Sequence, residues 1–337
     1  MRQKNQISIR RFFYPALLFL GAGAVVAHFA EGKQVGELLR RSSWEWVALA
    51  ALGQFLLLLN QSALYGAAYR LAGLPEKTGR LFLLVLAASF TAAAVPGGTL
   101  SGAGLLVYDA ARRGLETARA VVANLIFFLL DYLAFLLVLV LAFLFMYFGG
   151  SLQKYEIIAG GIFAFLVLAG LFGLFLFAWQ PSAAKALGGK LAALASFFPP
   201  WEKKREREEK ITRFAARLAE AAGALRGAKD GLFRGGLHAL LMEAIGLFQL
   251  EALFLAFGGR PAPGQLITGY AVGVLFMIVS VTPSGVGIME GAMTAAYASV
   301  GIPLEKAALV TFTYRALSFW LPVFAGFFAL RRLFGKE

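Results

Sequence analysis

The sequence contains no cysteine and only two histidines, His28 and His238. Disulfides, thiol nucleophiles and cysteine-bearing zinc sites are thereby excluded, and a Ser-His-Asp triad has little to draw on. Charge is scarce too. Asp, Glu, Lys and Arg make up 15% of the 337 residues, against 59% apolar types, and the mean hydropathy is +0.72. No Walker segment is present, which argues against ATP hydrolysis by this chain. The G-x-G within GVGIMEG has no preceding strand to make it a dinucleotide fingerprint, and Asn60-Gln61-Ser62, which matches a glycosylation acceptor, lies in apolar sequence out of reach of that modification. No cofactor, metal or nucleic acid is expected. The net charge of +13 comes from basic residues placed between apolar runs, where they report orientation in a membrane.

What is present in excess is apolar sequence. Runs of about twenty apolar residues, enough to cross a bilayer, predict spans at 12 to 30, 44 to 69, 120 to 147, 157 to 179, 233 to 257 and 307 to 330. The first follows MRQKNQISIRR and lacks a small-residue cleavage site, so it reads as an uncleaved helix and not a signal peptide. Two further apolar stretches, 81 to 111 and 265 to 299, are each interrupted by proline and glycine.

The interruptions repeat one another. Thr282 to Gly291 reads TPSGVGIMEG and Val95 to Gly104 reads VPGGTLSGAG. With Pro96 on Pro283, Gly98 falls on Gly285, Gly114 on Gly301, Arg119 on Lys306 and Ala120 on Ala307, without a gap. Arms too short to cross predict re-entrant hairpins; eight spans with two short or kinked ones is the alternative. If both hairpins return to the side they entered, most of the 32 lysines and arginines fall on one side, which predicts both termini in the cytoplasm. The unit helix, hairpin, helix at 44 to 147 then recurs upside down at 233 to 330, an inverted-topology repeat. The fold expected is an all-α polytopic membrane protein forming a single membrane domain, 1 to 337, with about six transmembrane helices and two re-entrant hairpins, placed in the cell membrane.

Residues 181 to 232 form the soluble interruption. After Pro199-Pro200 and WEKKREREEK, residues Ile211, Phe214, Leu218 and Leu225 recur at helical spacing beside Arg213 and Arg217. Residues 201 to 232 are expected either to lie on the anionic lipids of the inner leaflet or to serve as a solvated connector.

An ionised group near the bilayer centre costs on the order of 3 kcal/mol, so each needs a reason. The candidates are Asn60, Gln61, Asp131, Glu243, Gln249, Glu251 and Arg315, with Asp109 and Glu290 on the second arms of the hairpins. In the repeat register Asp131 corresponds to Ser318, one helical turn from Arg315, which predicts that Asp131 and Arg315 share a polar cavity and pair. The tips, Pro96, Gly97 and Gly98 and then Pro283, Gly285 and Gly287, offer free backbone N–H groups to a phosphate. Ordinary small-residue packing through Gly98-x-x-x-Gly102 and Gly287-x-x-x-Gly291 is equally compatible with the pattern. His238 reads as an interfacial hydrogen-bonding residue.

The paired P-[GS]-G segments, the later T-P-S-G-V-G-I-M-E-G followed by G-I-P, and Tyr314-Arg315 in the last span resemble the lysylphosphatidylglycerol synthase transmembrane region, a flippase-like membrane family. The likeness runs from about residue 10 to residue 333 and is most specific at Pro283 to Glu290. It implies movement of a phospholipid, aminoacylated or not, or of a lipid-linked sugar between leaflets, with Pro283, Gly285, Gly287, Glu290 and Arg315 as the functional set. The sequence ends at Glu337 without the soluble aminoacyl-transferase domain of a full synthase, so no enzyme activity is expected. A non-transporting accessory subunit of a lipid-biosynthetic enzyme and a secondary transporter of a small polar solute are the alternatives. The lipid, the direction of transport and the oligomeric state are open at this level.

Overall fold

The structure is a computed structural model that describes residue 40 and residues 42–95, 97–180, 204–280 and 282–335. The expected span at 12 to 30, Pro96 and the Pro199-Pro200 junction lie outside the described residues. Within them all regular structure is helical: α1 (Trp44–Leu71), α2 (Thr78–Ala94), α3 (Thr99–Arg112), α4 (Thr117–Phe148), α5 (Lys154–Trp179), α6 (Lys204–Gly223), α7 (Lys229–Ala256), α8 (Pro263–Val279), α9 (Ile288–Ser299), α10 (Leu304–Arg315) and α11 (Leu321–Phe334). One turn of 3₁₀-helix, Pro283–Gly285, precedes α9, and a π-turn, Ala316–Trp320, joins α10 to α11.

Five helices are long and apolar enough to cross a membrane: α1, α4, α5, α7 and the continuous Leu304–Phe334. They match the five expected spans that fall within the described residues. The hairpin arms are shorter. At a rise of about 1.5 Å per residue, the 17 residues of α2 and the 12 of α9 fall short of the roughly 30 Å core of a bilayer.

Packing follows the repeat. The long helices α1 and α7 lie against each other, α11 lies against α2, and α4 lies against α8, so the last helix of each unit covers the first hairpin arm of the other. Small residues permit the close approaches. A side chain at Gly102 would reach within 2.8 Å of the Ala88 carbonyl oxygen, and one at Gly53 within 3.0 Å of Gln249. The last span is irregular for a local reason. Pro322 has no N–H to give the carbonyl of Ser318, and the backbone widens there, Leu321 N–H donating to the Ala316 carbonyl.

The linker helix follows the expected stripe in part, with Leu225 buried and Leu218 packed against the core. Its inward stripe is Ala215, Ala219 and Ala222 with Leu225, and it packs on α4 and α5, while Phe214 of the expected stripe is exposed. Alanines at i, i+4 and i+7 let α6 approach its neighbours, a pattern hidden by bulkier residues at the same period.

Candidate functional site

The second tip is built by local chemistry. Ser280 and Thr282 share a hydroxyl hydrogen bond of 2.8 Å, the Thr282 hydroxyl donates to the Val286 carbonyl, and Pro283 opens the 3₁₀ turn. Ser284 (φ 51°), Gly285 (φ 67°) and Gly287 (φ 85°) then turn the chain through left-handed conformations into α9. Glu290, at the third position of α9, reaches back with Oε2 to accept the Gly287 N–H at 2.7 Å, the carboxylate half of a capping box. Its other oxygen, Oε1, accepts Arg315 Nε–H at 2.7 Å. Arg315 Nη2 donates to the Ser284 carbonyl at 3.2 Å, and its guanidinium lies 4.6 Å from the Phe319 ring centroid. Glu290 is 0% and Arg315 3% exposed. One buried carboxylate thus caps the helix that starts at the tip and holds the arginine that grips the turn before it.

The first tip enters α3 through Gly97 (φ 107°) and Gly98 (φ 53°). The two tips meet: a side chain at Gly98 would lie 3.4 Å from the Ser284 backbone nitrogen. Around this contact lie three cavities that share Thr99, Phe128 and Met277 as walls. One, of about 290 Å³, is polar, with Gln54, Gln61, Asp131, Glu243, Tyr270 and Arg315 in its lining. A second, of about 200 Å³, extends it towards Ser89, Gly102 and Ser284. The third, about 580 Å³, lies beneath the tips and is walled by Leu100, Leu125, Phe128 and Leu166. Leu100 is 78% and Leu166 58% exposed, so this recess opens on the apolar outer surface near the middle of α5. The polar interior and the apolar side opening therefore adjoin, with Thr99, Phe128 and Met277 as the walls they share.

Acids outnumber the arginine in the chamber. Arg315 is matched by Glu290, and Glu243 accepts a hydrogen bond from the Tyr270 hydroxyl at 2.9 Å. Asp131 has no ion pair or hydrogen bond among the described residues. The expected direct Asp131–Arg315 pair is replaced by Glu290–Arg315, because the tip places Glu290 on the same side of Arg315 as the Ser284 carbonyl. In the repeat register the position equivalent to Arg315 is Phe128, so the cation is not duplicated. Two acids and the unused N–H groups of one arginine face a single space. It can bind a phosphate on one side and amines or hydroxyls on the other.

Not every candidate gathers here. Asn60 is bound on both sides to His238, its amide donating to the His238 carbonyl and its oxygen meeting Nδ1, each at 2.7 Å. That joins α1 to α7 and gives His238 the hydrogen-bonding role expected of it. Glu251 is exposed on the outside of α7, away from the chamber. Asp109 is buried in an ion network at the open end of the first hairpin, 2.5 Å from Arg80 and 3.5 Å from Arg113, which also bonds Glu76. Burial opposes ionisation of Glu76, yet the Arg113 hydrogen bond, the Lys77 N–H and the two guanidinium charges hold its carboxyl below the usual range. Gln249 bridges to Gln54 at 3.1 Å and to the Ala50 carbonyl.

Residues missed in the sequence include Gln54, Ser89, Thr99 and Tyr270. Gln54 satisfies the same criterion as Gln61, an amide in an apolar span. The hydroxyl residues carry no such signal, since Ser and Thr bond their own helix and Tyr is common in spans.

The model of the lysylphosphatidylglycerol synthase TM region matches residues 13–326. A UPF0104 membrane protein of Pyrococcus horikoshii is 29% identical over 90 residues, 27% of this chain and 27% of the relative. Another, of Methanothermobacter thermautotrophicus, is 30% identical over 95 residues, 28% of this chain and 27% of the relative. The match thus spans little more than a quarter of either curated relative. No solved structure matches. The family match covers four of the five candidate spans, both tips and most of the fifth span, and the chain belongs to the lysylphosphatidylglycerol synthase transmembrane-region family of membrane proteins.

Proposed function

We propose that this membrane protein moves a lipid between leaflets, as a flippase or scramblase acting on a phospholipid, aminoacylated or not, or on a lipid-linked sugar, in the cell membrane. The observation that carries the reading is that the polar chamber adjoins the apolar recess under the tips, the two sharing Thr99, Phe128 and Met277 as walls. A lipid needs both at once, a polar path for its headgroup and an apolar exit for its chains, whereas a small polar solute needs a cavity closed off from hydrocarbon. In this reading Arg315 and the first tip engage the phosphate, since the Gly285 and Gly287 N–H groups expected to do so at the second tip are already held by the Thr282 carbonyl and by Glu290, and Asp131 and Glu243 face amines or hydroxyls. No covalent bond is made or broken. The exchange of α2 and α8 between the two units supports an inverted repeat, with the hairpins re-entering from opposite faces.

The test is a vesicle assay in which a fluorescent phospholipid on the outer leaflet is quenched chemically. Wild-type protein is expected to make the inner-leaflet pool accessible. Asp131→Asn is expected to slow this at least tenfold, since Asp131 lines the chamber without supporting an ion pair. Equal rates with protein-free vesicles, for phospholipid and lipid-linked sugar alike, would overturn the proposal and turn attention to an accessory role beside a lipid-modifying enzyme.

A further inference from the structure

Away from the tips, a recess of about 460 Å³ lies between the end of α1, the turn after α6 and the start of α7. Its walls combine small apolar residues, Ala67, Leu71, Ala224 and Ala228, with Arg70, Arg234 and Asp230. We propose that it binds a phosphate oxyanion that bears hydrogen-bond donors, the chemistry of a hydroxylated anionic lipid headgroup or, without the lipid, of free phosphate.

The two arginines differ from their neighbours. Arg226 donates to the Ala178 carbonyl, Arg80 pairs with Asp109, Arg113 with Glu76, and Arg119 with Glu116. Arg70 and Arg234 have no hydrogen-bonded or ion-paired partner among the described residues. Nor does the end of α1 need Arg70 as a cap, because the N–H groups of Gly73 and Leu74 already serve the carbonyls of Arg70 and Tyr69. The Arg70 guanidinium instead lies back along α1, where a side chain at Gly66 would be 3.4 Å from Nη1. Two planar forks from different helices, lining one hollow with no protein acceptor, suit an oxyanion better than a point contact. Asp230, on the same wall, repels a bare dianion and accepts a hydrogen bond from a hydroxyl, so the hollow suits a singly charged phosphate that carries a donor, on a headgroup or as the free monoanion. The location fits a lipid, since Arg70 lies in the last turn of the spanning α1 and Arg234 in the second turn of the spanning α7. The small residues leave room at the membrane edge for the glycerol end of the headgroup.

The site is independent of the chamber, so its test does not depend on translocation. The full chain in nanodiscs of phosphatidylglycerol and phosphatidylcholine, extracted gently and weighed by native mass spectrometry, is expected to retain phosphatidylglycerol preferentially. Arg70→Gln/Arg234→Gln is expected to lower that retention at least tenfold, and the double lysine variant, which keeps charge without the fork, severalfold. In parallel, inorganic phosphate is titrated calorimetrically into the detergent-solubilised protein. Arginine-dependent heat with arginine-independent lipid retention would identify free phosphate as the occupant. Equal retention by wild type and by a glutamine variant of unchanged melting temperature, with no arginine-dependent phosphate heat, would overturn the proposal. The lysine variant carries the same comparison if the glutamine variant is not monodisperse.

Discussion

At Glu290 and Arg315, one contact serves two purposes. The carboxylate is divided between a backbone cap and a guanidinium, so the pair fixes the tip as well as lining the chamber. Burying two charges is costly, and removing one leaves the other without compensation, which typically destabilises by about 3–5 kcal/mol. Arg315→Ala and Glu290→Ala are each expected to lose about that much, and the double variant less than the sum of the two. Denaturant unfolding of the four proteins in detergent completes the cycle, and additive losses would show that the contact carries no coupling. Both residues were legible in the sequence as costly charges, but their pairing was not. The repeat register set Arg315 beside Asp131, and linear register cannot show that the turn through Ser284 and Gly287 carries the start of α9 onto the guanidinium.

The elements separate what hydropathy can read from what it cannot. Spans α1, α4, α5 and α7 stand close to their expected positions because twenty apolar residues leave a helix as the way to satisfy the backbone in lipid. The stripe expected in the linker holds in part, Leu225 being buried and Leu218 packed against the same core, while Phe214 is exposed and alanines, unremarkable in hydropathy, decide how closely α6 approaches its neighbours. Glycines in the tip region divide similarly. Gly285 has φ 67°, and a side chain there would lie 2.8 Å from Met277 Cα, whereas Gly291 sits inside α9 with open space around its Cα. Gly285→Ala is expected to destabilise by about 1–3 kcal/mol and to impair translocation, while Gly291→Ala should gain up to about 1 kcal/mol of helix propensity. Melting curves of the two variants decide it, and an equal response in both would remove the backbone argument. The hairpin base has a pH signature. Glu76 ionises more readily folded than unfolded, so its contribution is complete above the ordinary glutamate value of about 4.3 and fades as pH falls through its lower folded value. Wild type should therefore melt above Glu76→Gln at pH 7, with the gap closing in acid. A gap that does not narrow as the pH falls would assign the difference to packing.

For the molecule as a whole, the chamber is enclosed by contact between two halves whose first hairpin arms are each covered by the other half's last helix. If the proposed translocation moves a headgroup past Thr99 and Ser284, which both face the space under the tips, the tips must part during each cycle. The absence of cysteine makes this testable, because any thiols introduced are the molecule's only ones. Thr99→Cys with Ser284→Cys joins the tips without placing a side chain on Gly98, whose φ of 53° disfavours one. Bridging the pair with a short reversible dithiol reagent is expected to stop lipid movement in the vesicle assay, and reduction to restore it. A bridge across Glu251→Cys and Phe248→Cys, on the outer face of α7, should leave the rate unchanged, which separates a locked gate from a stiffened protein. Undiminished movement with the tips fully bridged would mean that the lipid travels by the lateral recess alone, and that the Pro/Gly turns serve packing.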